Sequence, residues 1–434
     1  MATTTAQRSF VRSITHCVGQ HVVLRGWVYR LRTLRNTTFV VLRDCTGMAQ
    51  CVASSDYLAD LHLKLEDTVE VTGIVRADAR AKLGCEVDID VVRVLSRATN
   101  KLPFNSASDI SSVGLDTRLQ YRPLAMRTDA VGNVFRIQNA LLRCFREYLA
   151  ELDFTEIITS KIVASGTEGG TNMFSLAYFE RTAYLAQSPQ LYKEHGVAAF
   201  ERVFETGHVY RAEPHASSRH LTEYYSLDLE LGFIDGLEDL IEIEKGLLGA
   251  MLGNLRESHR EILEQFGALP LPAIEKAPTW EFDHCLEMLA REHGITHLTD
   301  DLDPEAERLL CELAERATGV PAVFVIGFPL SGRPFYTAPR GEAGAAQTFD
   351  LLMKGVEVTT GGQRLHRRED LENAMVARGL DTDSFASHLQ MFELGMPPHG
   401  GLAIGLERLT AQVLGLSNVR EAVMYPRDRN RLSP

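Results

Sequence analysis

Two rhythms of apolar placement divide the chain. Between residues 22 and 97 the stretches HVVLRGWVYRLR, TTFVVLRD, MAQCVAS, TVEVTGIVRAD and CEVDIDVVRVL are rich in β-branched residues. They partly alternate apolar with polar positions, the mark of half-buried strands. Gly26, Gly47, Gly73 and Gly84 fall near their turns or bends. Five short strands in so little chain predict a small closed barrel. A polar, turn-rich stretch from Lys101 to about Asp129 reads as a hinge. From Val131 the period becomes helical: Val134, Ile137, Leu141, Phe145, Tyr148 and Leu152 recur at steps of three and four and lay one apolar stripe along a helix.

Further on, FTEIITSKIV, AYLAQSP, VFETGHVYRAE, YYSLDLELGF, AVFVIGFP and TFDLLMKGVEVTTG read as strands, with long amphipathic helices over 236–266 and 367–391. They are not spaced as strand–helix–strand repeats, so they predict an antiparallel sheet flanked by helices, an α+β body. The expected organisation is a barrel over 1–103, a hinge over 104–130 and the α+β domain over 131–434. No apolar run approaches the ~18–20 residues of a membrane span. No hydrophobic leader opens the chain. The seven cysteines are scattered and never form a CxxC pair, which fits small buried thiols in a reducing cytoplasmic setting and gives no zinc framework.

Charge changes the picture. The net is −13, from 45 Lys+Arg and 58 Asp+Glu, which alone argues against a nucleic-acid partner. The first hundred residues nevertheless carry +3 and the remainder −16. Seven arginines, including Arg25, Arg30, Arg32 and Arg35, precede the first acid, Asp44. A basic head on an acidic body points to an anionic partner for the head.

The richest chemistry lies in FETGHVYRAEPHASSRHLTEYYSLDLELGF. A strand ending at Arg211-Ala212-Glu213, a turn at Pro214 and a returning strand gather Arg211, Glu213, Arg219, His220 and Tyr224. Guanidinium groups bind phosphate oxygens in pairs, so this mouth suits a polyphosphate, with the tyrosine placed to stack on a base. Standing alone, it reads more simply as a solvated charged hairpin. In GGLAIGLERL, Arg408 follows Gly400, Gly401 and Gly405, where backbone can approach a ligand. Asp350 and Glu357 lie on a strand pair and are of the type that holds Mg²⁺ beside substrate phosphates; isolated, they would be ordinary surface acids.

Together these segments resemble the class II aminoacyl-tRNA synthetases. The Arg211–Glu213 hairpin is similar to motif 2 and GLERL to motif 3. LAQSPQLYKE, TEGGTNMF, RHLTEY, EVTTGGQR, MPPHGG and YPRDRNRLSP resemble aspartyl-tRNA synthetases of the shorter, archaeal type, over nearly the whole chain and in the same order. The resemblance implies an N-terminal OB-fold that reads the anticodon, ahead of a class II antiparallel sheet flanked by helices. It also implies activation of L-aspartate by ATP with Mg²⁺, transfer to tRNA(Asp) and potentially tRNA(Asn), and a homodimer with no membrane association.

The same resemblance assigns residues. Arg211, Glu213 and Arg408 would be catalytic. Arg211 would grip the α-phosphate, and adenine would lie between Tyr224 and Arg408. Ala212, Arg219, His220, Leu221, Glu357, Gly405, Leu406 and Glu407 would complete the ATP site, with Arg219 and His220 toward the outer phosphates. Asp350 and Glu357 would hold Mg²⁺. Lys193 and Arg364 would meet the aspartate side chain, with Glu168, Ser188, Gln190, Asp228 and Thr360 around it. Asparaginyl-tRNA synthetases, the nearest rival family, normally lack an equivalent of Lys193. Tyr29, Arg30, Arg32, Phe39, Gln50, Lys82 and Glu86 would meet the anticodon. Lys82 matches members that charge tRNA(Asp) alone, whereas Tyr29 replaces their tryptophan; the balance favours the strict form. Ser160 stands where the dimer-interface proline is usual. A catalytically idle RNA-binding paralogue is the reading from another class, and intact Arg211, Arg408, Asp350 and Glu357 weigh against it.

Overall fold

The N-terminal strands close on themselves because each buries one face. In the computed structural model, which describes residues 7–164, 166, 173–214, 217–341 and 344–434, they are β1 (His21–Leu34), β2 (Thr37–Asp44), β3 (Gly47–Ser54), β4 (Thr68–Ala77) and β5 (Cys85–Ser96). They form a closed barrel in the order β1-β2-β3-β5-β4, with β1 also paired to β4, the OB-fold the strands predicted. Val22, Leu24, Val28, Val40, Leu42, Val69, Val71 and Val87 fill it. Gly73 has a structural duty: a Cβ there would lie 2.1 Å from the Asp88 carbonyl oxygen, so closure requires glycine.

The chain divides into two compact units, Met1–Thr128 and Asp129–Pro434. The stretch read as a hinge lies almost wholly in the first. Buried Glu66 receives Arg43 Nη2 at 3.0 Å, Arg127 Nη1 at 2.7 Å and the Ser106 hydroxyl, so the turn-rich stretch is fastened to the barrel by charge. Arg127 lies 4.8 Å from the Trp27 ring centre.

The second unit opens with α1 (Asp129–Glu151), whose stripe Val134, Ile137, Leu141, Phe145 and Leu149 is buried as predicted. Its sheet comprises β6 (Thr155–Glu156), β7 (Arg202–Tyr210), β8 (Glu223–Gly232), β9 (Thr279–Glu281), β10 (Ala322–Ile326), β11 (Thr348–Met353), β12 (Val356–Gln363) and β13 (His399–Gly405). The order is β9-β10-β11-β12-β13-β8-β7-β6. Only the outer pairs, β6–β7 and β9–β10, are parallel. Helices α2 (Gln190–Phe200), α3 (Leu237–Ser258), α4 (Pro304–Thr318), α5 (Ala386–Phe392) and α6 (Leu406–Leu414) accompany it.

Three expected elements differ. The helix over 236–266 is two, Leu237–Ser258 and Arg260–Gln265, parted at His259 (φ −131). The long helix over 367–391 is broken: Arg368–Ala377 stops before Gly379, which is left-handed (φ +68), and the Asp381 carboxylate then starts a new turn by accepting from Asp383 N. FTEIITSKIV is not one strand; only Thr155–Glu156 and Ile162–Val163 pair, and Ile158 between them is 95% exposed. Five of the seven cysteines are buried and all are unpaired. Among the described residues no helix is long and apolar enough to cross a membrane.

Candidate active site

Strands β7 and β8 pair in register from Arg202↔Leu231 to Tyr210↔Glu223. Arg211 N then donates to Thr222 O at 3.0 Å, prolonging the pair into the loop. The register sets Arg211 and Tyr224 at one end of the sheet, over a cavity of about 380 Å³. Into it also face Glu213, Arg219, His220 and Leu221 from the hairpin, Asp228 from β8, and Ser188, Gln190 and Lys193 from the start of α2. Glu357, Thr360, Arg364, Gly405, Glu407 and Arg408 close the far side.

Three expected site residues stand elsewhere, and a fourth, Glu168, lies outside the described residues. Leu406 is the first residue of α6 and points into the main core. Ala212 lines a neighbouring groove. Asp350 is buried in β11, its carboxylate taken by Arg333 Nη2 at 2.8 Å and Nη1 at 3.3 Å.

The hairpin end of the cavity is densely charged. Arg211 lies 5.8 Å from the Tyr224 ring centre, and Arg408 lines the same cavity. Arg408 Nη1 donates to the Glu357 carbonyl at 2.8 Å and lies 3.3 Å from its Oε1, which also accepts from the Thr360 hydroxyl at 3.1 Å. Arg219 donates to Glu307 Oε2 at 2.9 Å and to Gly355 O at 3.0 Å. Burial, with the charge of Glu357 added, pushes the Glu307 carboxyl up to about 7. Burial likewise carries Asp350 to about 6 against the pull of Arg333, with the Glu357 charge adding to the rise. Glu307 and Arg333 escaped the sequence reading: neither PEAERLL nor SGRPFY carries a spacing that marks it.

At the cavity floor, buried Lys193 Nζ lies 3.2 Å from Asp228 Oδ1, 3.1 Å from Glu230 Oε2 and 3.4 Å from Leu402 O. Arg364 Nε donates to Glu230 Oε1 at 2.8 Å and its Nη2 to Gly401 O at 3.1 Å. Burial opposes the Arg364 charge, but Glu230 outweighs it and raises the pKa; burial equally opposes Glu230, and Arg364 with Lys193 holds that carboxyl below its usual range. Glu230 is the unpredicted centre of this floor. Gly401 serves it: a Cβ there would lie 2.2 Å from Glu230 Oε2 and 2.1 Å from Leu229 O. That glycine makes room for the sheet and for Glu230. Gln190 Nε2 donates to Glu194 Oε1 at 2.7 Å, and Glu194 Oε2 lies 3.5 Å from His388 and 3.6 Å from His399.

In the first unit, Arg32 faces Phe39 across β1–β2, Arg30 faces Val41, and Val41 faces Gln50 on β3. Cross-strand partners share a face, so two arginines, a half-buried aromatic and an amide stand together. Gln50 Nε2 donates to Glu86 Oε2 at 2.7 Å. Tyr29 is the extra residue of a β-bulge and lies 5.4 Å under Arg43. Lys82 is exposed in the β4–β5 loop.

The model of class II tRNA synthetases (D, K and N) matches residues 114–429, and that of the OB-fold nucleic acid binding domain matches 22–95. An aspartate–tRNA(Asp/Asn) ligase of Thermus thermophilus is 44% identical over 428 residues, covering 98% of this chain and 100% of that protein. An aspartate–tRNA(Asp) ligase of Pyrobaculum aerophilum is 38% identical over 96% of both. The crystal structure of asparaginyl-tRNA synthetase from Pyrococcus horikoshii with asparaginyl-adenylate superposes with a TM-score of 0.91 at 28% identity, over 99% of this chain and 100% of that one. Barrel, sheet, charged cavity and full-length kinship agree: the chain belongs to the class II aminoacyl-tRNA synthetases of the aspartate, lysine and asparagine group.

Proposed function

We propose that this synthetase activates L-aspartate with ATP and transfers it to the 3′ end of tRNA(Asp). The observation that carries the choice of amino acid is the floor of the cavity. There Lys193 and Arg364 share one buried carboxylate, Glu230. A side-chain carboxylate joins such a cationic pair with charge-assisted bonds; a neutral amide brings no charge and leaves a donor against a donor. Kinship of 44% and 38% with aspartate–tRNA ligases supports the same choice.

The steps rest on positioning and charge. Asp228, Ser188 and Gln190 line the wall nearest Lys193, where Asp228 supplies a carboxylate for the substrate ammonium. Arg211 meets the α-phosphate and neutralises charge that develops there as the aspartate carboxylate attacks in line and pyrophosphate leaves. Tyr224 offers a face for adenine, and Arg408, anchored on Glu357, closes the nucleotide side. Arg219 and His220 stand toward the outer phosphates.

Glu357 lines the cavity and is the carboxylate placed to hold Mg²⁺ beside substrate phosphates; Asp350, buried with both oxygens on Arg333, would have to exchange that partner to join it. When bound, the ion would neutralise the outer phosphates.

On the barrel, Phe39 would stack on an anticodon base, with Gln50 and Glu86 at its edge and Arg30 and Arg32 on the backbone. The apolar side chains left in solvent, Ile158 and Phe179 at 95% and 83% exposure, support a homodimer that covers them; sedimentation at micromolar concentration tests it, and a monomer mass refutes it. A second reading, charging of tRNA(Asn) as well, is favoured by kinship with the aspartate–tRNA(Asp/Asn) ligase of Thermus thermophilus and by Tyr29, against Lys82. Aspartylation of tRNA(Asp) and tRNA(Asn) transcripts side by side tests both readings. Charging of the first supports the function, charging of the second decides the specificity, and charging of neither overturns the proposal.

A further inference from the structure

Behind the cavity floor lies a second polar cluster, of Gln190, Glu194, His195, His388 and His399, of which only Gln190 lines the cavity. Glu194 on α2, His388 on α5 and His399 at the start of β13 are all buried. Glu194 Oε1 accepts from Gln190 Nε2 at 2.7 Å. Its Oε2 faces His388 Nε2 at 3.5 Å and His399 Nε2 at 3.6 Å. None of these three atoms has a hydrogen-bond partner elsewhere among the described residues. The outer nitrogens are engaged: His399 Nδ1 donates to Pro397 O at 2.9 Å, and His388 Nδ1 lies 2.9 Å from His195 Nε2. Among the described residues no group of three His, Cys, Asp or Glu is arranged to hold a metal ion, so protons lie between these atoms.

The contacts decide where those protons sit. A carboxylate only accepts, and a lone pair turned against it in a dry core is costly. His399 uses Nδ1–H on a carbonyl and must present Nε2–H to Glu194 as well, which makes it an imidazolium. His388 presents Nε2–H and accepts at Nδ1 from His195, so it is neutral. Burial opposes the Glu194 charge, but the facing histidines and Gln190 outweigh it and hold the carboxyl well below its usual range. Burial opposes the His399 charge too, yet Glu194, with Glu230 beyond it, raises its pKa. Burial pushes His388 down to about 4.

The arrangement reaches the substrate side through Gln190. An amide fits either way round unless a partner decides, and a carboxylate accepts only from its nitrogen. Glu194 therefore locks the Gln190 oxygen on the opposite side, where an acceptor beside Asp228 attracts an ammonium group. The cluster also ties together the segments that carry the two cations of the floor. Lys193 precedes Glu194 on α2, and Arg364 N donates to His399 O at 2.9 Å.

We propose that Glu194 and protonated His399 form a positioning pair for the amino-acid pocket, which holds the Gln190 amide with its oxygen toward the substrate ammonium and fixes α2 against β13. The inference rests on the proposed activation of aspartate and adds to it two residues that never touch the substrate.

The test uses the full chain with Glu194→Met, which removes the acceptor, and with Glu194→Gln, which keeps an amide oxygen for Gln190. The new NH₂ group then serves two imidazole lone pairs, once His399 gives up a proton and His388 moves one to its Nδ1. In ATP–pyrophosphate exchange, KM for L-aspartate is expected to rise at least ~10-fold in Glu194→Met, the size of one hydrogen bond to a charged group. Its kcat is expected to stay within about twofold, as when ground-state and transition-state binding are lost together. Glu194→Gln is expected to hold both constants within about threefold of the parent. In a Gln190→Met background, Glu194→Met is expected to add less than about twofold, since both changes act through one amide. Effects that multiply in the double variant, or a fall in kcat with KM unchanged, would overturn the assignment. The pair is also read without substrate, by nitrogen-15 histidine spectra at about pH 8, where exposed imidazoles are neutral. One imidazole with both nitrogens protonated is expected in the parent and none in Glu194→Gln. A parent without that imidazolium overturns the pair, whether or not Glu194→Met folds. A parent silent with aspartate would sink the function, and the same spectra would still decide the pair.

Discussion

At the scale of single residues, the site is an economy of few charges in little space. Lys193 has three acceptors within 3.4 Å and almost no contact with solvent, so its removal strips Asp228 of its cation and leaves Glu230 with Arg364 alone. Lys193→Leu is therefore expected to abolish aspartate-dependent pyrophosphate exchange and to cost about 3 kcal/mol of stability, as for other broken buried pairs. Near-normal exchange would remove Lys193 from the specificity argument. A second buried acid behaves differently. Burial pushes the Glu244 carboxyl up to about 8, opposed by the Thr359 hydroxyl and reinforced by the charge of Asp350. A raised acid contributes stability that is complete below its unfolded pKa of 4.5 and lost as pH climbs through 8. Glu244→Gln should remove that loss, so its advantage over the parent grows by up to about 1.4 kcal/mol per pH unit across the window. Parallel denaturation midpoints from pH 5 to pH 8 would contradict it.

At the scale of elements, the β7–β8 hairpin and the barrel face are the devices that turn sequence into chemistry. On the barrel, register alone sets Arg32 opposite Phe39 and Arg30 opposite Val41. Phe39→Ala is expected to weaken tRNA binding ~10-fold, within the ~1–3 kcal/mol of one stacked base, and to leave exchange untouched. Equal loss in both assays would make Phe39 a packing residue. These elements were legible because their signals are local: strand alternation in VFETGHVYRAE, β-branched runs in the barrel, an apolar stripe on α1. What escaped was set by distance in the chain. Glu230 becomes the centre of the floor only because β8 pairs with β13 and brings it against Gly401, while Arg364 arrives from 134 residues away. Glu307 reaches Arg219 across 88 residues from α4, and no periodicity announces such a meeting. Gly379 was visible, but its left-handed turn divides what periodicity alone joins into one helix.

At the scale of the whole molecule, an average charge of −13 conceals the functional arrangement. The positive head is a barrel whose exposed face carries Arg30 and Arg32. The negative body gathers Arg211, Arg219, Arg364 and Arg408 around its cavity. Two compact units with separate cores, Met1–Thr128 and Asp129–Pro434, match two tasks, recognition of a polynucleotide and activation of an amino acid. The second task is measured without tRNA. In ATP–pyrophosphate exchange with purified protein, ATP and Mg²⁺, strong exchange is expected with L-aspartate and little with L-asparagine at equal concentration. Exchange driven by asparagine, or by neither amino acid, would contradict it.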